Sequence, residues 1–164
     1  MAANTRTPAM KTENTQHLLR ILALILRVAL AAVFLLAGFS KAGDPAEFAR
    51  AIDLYRAVPH TLAIITALFL PWLEITCAIA IFFRQLRAGA TALLLACSAV
   101  FVVMLLSALV RGLDISCGCF GNAGSATGGA ALLLSLARAL VLAAASALLL
   151  AREIKTRRAK TTPM

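Results

Sequence analysis

The chain has 164 residues, 62% of them hydrophobic and only 14% charged. A soluble domain is about 45–50% apolar, so a water-soluble fold of this length is excluded by its own surface. The net charge of +9 raises a nucleic-acid partner, but the placement of the basic residues gives charge another purpose.

Residues 1–17 form a polar arm carrying Arg6 and Lys11. The first long apolar run follows at 18–39, beyond the roughly 7–15 residues of a signal-peptide core and without an A-x-A-like cleavage site. LLAGFS has serine where a lipoprotein box needs cysteine. The run reads as a retained membrane helix, interrupted by the charge of Arg27.

The next segment, SKAGDPAEFARAIDLYRAVPH, opens with a helix start. Asp44 is an N-cap and Pro45 suits the first helical position. Phe48, Ala51, Ile52 and Tyr55 fall at helical spacing, with Glu47, Arg50, Asp53 and Arg56 largely opposite. A short amphipathic helix lying on the outer surface is expected, ended by Pro59 and able to cover a neighbouring loop.

Three further spans are expected at about 59–83, 88–110 and 130–151. Each reaches the roughly 20 apolar residues that cross a bilayer core. Pro71 in the second removes a backbone donor and frees the carbonyl of Ala67, which predicts a kink one turn before Glu74. Arg27, Glu74 and Arg138 lie within spans, where ionisable groups are expensive and turn inward toward partners. Counted from the expected inner ends, Arg27 and Glu74 have equal depth and are expected to pair. A structural clasp and a proton or electron-carrier site are both open for these charges. Cys77 and Cys97 differ in depth by only about 4–5 Å, so they are either a second dithiol or small buried hydrophobes.

Charge placement orients the spans. The arm, the second loop and the 152–164 tail carry ten basic residues: Arg6, Lys11, Arg20, Arg84, Arg87, Arg152, Lys155, Arg157, Arg158 and Lys160. The first and third loops carry four, Lys41, Arg50, Arg56 and Arg111, beside Asp44, Glu47, Asp53 and Asp114. Cytoplasmic flanks collect Lys and Arg, so both termini are expected in the cytoplasm and the tail against anionic headgroups of the membrane lipid. Nucleic acid is not an expected partner.

That orientation places RGLDISCGCFGNAGSATGG, residues 111–129, outside, in a periplasm if the cell is Gram-negative. Disulfides persist there. A disulfide between Cys117 and Cys119 closes a small strained ring, and strained, exposed disulfides are the labile kind. Three readings stand: redox exchange, a structural staple that constrains little chain entropy, and a metal clip completed by His60 and Asp114. The glycines do not form a phosphate loop, since no Gly-Lys-Ser/Thr follows.

KAGDPAEF at 41–48, Pro71 and Glu74 in the second span, and Arg111-Gly followed by CGCFG at 117–121 resemble the methylamine utilisation family MauE, of the DoxX-like group of four-helix membrane proteins. The resemblance covers about Arg20 to Ala151. It implies an all-α integral membrane four-helix bundle in the bacterial inner membrane. It also implies a role in maturing a periplasmic, disulfide-rich client, the methylamine dehydrogenase small subunit, beside a thioredoxin-like MauD-type partner. Cys117 and Cys119 are carried over as the candidate redox pair, which would make the chain a thiol–disulfide oxidoreductase component. Arg27, Glu74 and Arg138 receive no role from it. Membrane thiol oxidases of the DsbB and vitamin K epoxide reductase types carry a further Cys-x-x-Cys near the membrane face, which this chain lacks; no quinone or metal cofactor is indicated. The contrasting expectation is a non-catalytic scaffold or transporter component with a structural Cys-Gly-Cys.

Overall fold

Apolar runs of this length must satisfy their backbone groups internally, and in lipid only helices and closed barrels do so. The computed structural model describes residues 7–56, 58–112 and 129–161, with side chains over 17–56, 58–112 and 132–157. It holds five helices among the described residues: α1 (Thr7–Gly43), α2 (Pro45–Leu54), α3 (His60–Ala80), α4 (Arg87–Val110) and α5 (Gly129–Thr161). Four stretches are long and apolar enough to cross a membrane: His17–Gly43, His60–Ala80, Arg87–Val110 and Leu132–Arg157. The all-α membrane bundle is as expected.

The surface is inverted relative to a soluble protein. Phe69, Trp72, Val100, Val103 and Val141 are each at least 61% exposed, a belt that lipid tails cover. Burying apolar surface therefore does little to hold one helix to another, and association rests on close packing and polar contacts. Small residues line the contacts, with Ala63, Ala78, Ala108 and Ser146 all but inaccessible. Buried hydroxyls need partners in such a core. Ser98 donates to the Leu94 carbonyl at 2.9 Å and Ser146 to that of Leu142 at 2.8 Å, each one turn back in its own helix.

The amphipathic helix in the first connection forms as its sequence dictates. Asp44 accepts a hydrogen bond from the Glu47 amide at 2.8 Å, and Pro45 opens the helix. Phe48, Ala49 and Ile52 are buried against Ala63 and Ala67 of α3. Beyond Leu54 the chain turns through Arg56, whose φ of 48° is left-handed, and re-enters at Pro59. α2 packs its apolar face against the first half of α3.

The bundle thus has two different ends. One carries α2, the start of α3 and the end of α4; it is called the α2 end. The other carries the α3–α4 turn together with the terminal portions of α1 and α5. Both terminal helices run past the expected spans. α1 begins at Thr7 rather than near Leu18, and α5 continues through the basic stretch to Thr161. These extensions change which charges meet.

Candidate functional site

The α1–α3 register is set by Gly38. A Cβ there would lie 2.7 Å from Ile75 Cγ1 and 3.1 Å from the Pro71 carbonyl oxygen. Only glycine admits this approach, and it brings the last turn of α1 level with the middle of α3. Lys41, three residues beyond Gly38, then shares a face with it. The helices are antiparallel, and helical side chains lean toward their own N-termini, so Lys41 and Glu74 lean toward each other. Lys41 Nζ stands 2.7 Å from both carboxylate oxygens of Glu74. Each side chain is only 6% exposed. Phe48 of α2 closes the pair from the side, its ring centroid 5.3 Å from the ammonium, within the range of a cation–π attraction.

The expected Arg27–Glu74 pair does not form. Glu74 is taken by Lys41, and Arg27 donates to Glu153 of α5. Equal depth assumes helix ends at Leu18 and Phe83, but α1 begins at Thr7 and α3 ends at Ala80. By sequence Lys41 belongs to the first loop and Glu153 to the basic cytoplasmic tail. One signal for Lys41 is its position one turn after a glycine; for Glu153 it is being the single acid in the basic stretch AREIKTRRAK, with no proline before Pro163. Arg138 is exposed on α5, so it does not point into the bundle beside the other two.

The two intramembrane thiols, Cys77 of α3 and Cys97 of α4, are both free. At the other end, Arg87 Nη1 is 3.7 Å from the Glu153 oxygen that Arg27 holds. Arg152 donates to the Leu19 carbonyl at 3.0 Å and Arg157 to that of Gln85 at 3.1 Å. The C-terminal turns are thereby fastened to α1 and to the α3–α4 turn.

Cys117, Cys119 and Asp114 lie outside the described residues. Their connection leaves α4 at Gly112, whose φ of 64° is left-handed, and rejoins the fold at Gly129. Arg111 reaches back across this end, Nη1 standing 3.4 Å from the Tyr55 carbonyl. His60, the remaining candidate ligand of a metal clip, sits at the same end with Nδ1 2.5 Å from Asp53. Among the described residues no group of three or more metal-ligating side chains converges.

A multi-pass four-helix membrane protein, with ion pairs buried between its helices and a cysteine-bearing connection at the α2 end, is what the fold defines. Residues 19–152 match the family model described as Methylamine utilisation protein MauE, and the chain belongs to that family. Comparison with curated proteins and with solved structures gave no match.

Proposed function

We propose that the protein is a membrane accessory component of methylamine utilisation that matures a periplasmic, disulfide-rich client by thiol–disulfide exchange through Cys117 and Cys119. The observation that carries this reading is the Cys-Gly-Cys in the long polar connection of a MauE-family chain. In the proposed setting the chain sits in the bacterial inner membrane with both termini cytoplasmic, as the basic flanks favour. The α4–α5 connection then faces the oxidising side.

The exchange needs two cysteines and no net oxidant. A thiolate attacks a disulfide sulfur and expels that disulfide's other sulfur as a thiolate. The mixed disulfide that links the two proteins is then opened by the attacking protein's second thiolate, which bonds to the first cysteine and displaces the partner's sulfur. One disulfide opens for each that forms, and two electrons and two protons pass between the client and the Cys117–Cys119 pair. The spent pair is reset by a thioredoxin-like partner of the MauD type. The client is the methylamine dehydrogenase small subunit. Lys41, Glu74, Arg27 and Glu153 hold the bundle that presents the connection.

The experiment is a non-reducing gel of acid-quenched, alkylated membranes from wild type, C117S, C119S and the double variant. One single variant accumulates a covalent adduct with the client and the other does not. Absence of adduct in both, with client maturation intact in the double variant, removes exchange and leaves a structural staple.

A further inference from the structure

The end of the bundle that gathers the chain termini holds more positive charge than its own acids neutralise. Arg27 and Arg87 share one carboxylate, Glu153, and their side chains are only 16% and 22% exposed. Two guanidiniums on one carboxylate leave an excess positive charge in partly buried surroundings. Arg27 also has a donor its partner does not use, since Nε is buried without a hydrogen-bond partner. Arg20, Arg84, Arg152, Lys155 and Arg157 lie on the elements at this end and are exposed. Among the described side chains at this end, seven basic groups face the single acid Glu153.

The neighbouring surface is apolar. On the side of Arg27 toward the middle of the bundle, Val28 and Leu36 of α1 and Leu148 of α5 are each 50% or more exposed. A partner that fits both features carries a negative phosphate and a hydrocarbon chain. Basic sites between membrane helices hold anionic lipid headgroups in this manner, and guanidinium binds phosphate through paired donors.

We propose that this end is a docking surface for an anionic phospholipid, with its phosphodiester beside Arg27 and Arg87 and its acyl chains along the exposed face of α1. The phosphate supplies the negative charge that Glu153 alone does not. The surface lies at the opposite end of the bundle from α2, so it is independent of thiol exchange.

The test uses the full chain extracted from mixed vesicles containing equal amounts of dioleoylphosphatidylglycerol and dioleoylphosphatidylcholine, with retained lipid counted by native mass spectrometry. The phosphatidylglycerol is expected to be retained preferentially. Arg87→Gln and Arg152→Gln each lower that preference about fivefold, the factor for one basic residue at an anionic surface. Glu153→Gln raises it, because the excess positive charge grows; this separates a lipid site from a clasp that only loses stability. Arg50→Gln, on α2 at the other end, leaves the preference unchanged. A second arm measures the thermal unfolding of the detergent-solubilised chain with added phosphatidylglycerol or inorganic phosphate, where only the lipid is expected to stabilise. Equal retention of the two lipids, a lowered preference in E153Q, or equal stabilisation by inorganic phosphate would each overturn the proposal.

Discussion

Lys41 and Glu74 form a buried bidentate pair across α1 and α3, at 2.7 Å to each carboxylate oxygen and with both side chains 6% exposed. The pair sits under Phe48 of α2, so three elements share one charged contact. Its strength comes from geometry, since desolvating two ions costs several kcal/mol and only close, complete pairing offsets it.

Removing one partner therefore leaves a buried, unpaired charge. K41M and E74L each are expected to lose about 3–5 kcal/mol, and the double variant about as little as either or less. Thermal unfolding in a mild detergent gives the cycle. Strictly additive losses would show that the two side chains do not interact in the membrane protein as purified.

Arg27 and Glu74 have separate partners, so their losses are expected to add. In a cycle of R27A and E74A the coupling should stay within about 0.5 kcal/mol. A coupling of 2 kcal/mol or more, on the order of that for contacting residues, would restore the pairing expected from helix depth.

Gly38 holds the register on which the Lys41–Glu74 contact depends. G38A drives a methyl to 2.7 Å from Ile75 Cγ1 and 3.1 Å from the Pro71 carbonyl, an overpacking expected to cost about 1–3 kcal/mol. I75A in the same chain should recover only part of this, because the Pro71 backbone cannot retreat. A neutral G38A would mean that α1 and α3 are farther apart than described.

Truncation after Ala151 is expected to destabilise the bundle, although the deleted residues form a basic tail. It removes Glu153 from Arg27, along with the bonds from Arg152 to Leu19 and from Arg157 to Gln85. An uncompensated buried donor alone costs about 1–3 kcal/mol. Truncation after Thr161 should leave the melting temperature where it was. The same melting temperature for both truncated chains would place the terminal turns of α5 free of the bundle.

Orientation is checked by membrane-impermeant thiol reagents on intact, reduced cells. Cys117 and Cys119 are expected to react, whereas Cys77 and Cys97, on α3 and α4 inside the spans, are protected. The reverse pattern would put the α2 end in the cytoplasm.

Much of the fold was legible because its determinants are local. Apolar runs long enough to span a bilayer specify helices without reference to any other part of the chain. Asp44-Pro45 specifies the start of α2 through a cap that reaches only to Glu47, and the spacing of Phe48 and Ile52 specifies the face it buries. The CGCFG segment carried the family resemblance for the same reason, since a motif is contiguous in sequence.

Charge pairing was not legible, because it depends on how far one helix slides past another. A slide of one turn changes every partner, about 5.4 Å per turn, while leaving hydropathy and periodicity untouched. The slide between α1 and α3 was decided by the close approach at Gly38, which gave Glu74 to Lys41 instead of Arg27. The end of α5 was decided in the same way. Its basic residues read as a tail against lipid headgroups, whereas Glu153, Arg152 and Arg157 meet α1 and the α3–α4 turn. Sequence determined which segments are helical and which residues carry charge; only the packing of the helices determined which charges meet, because backbone hydrogen bonds in a helix are local and ion pairs between helices are not.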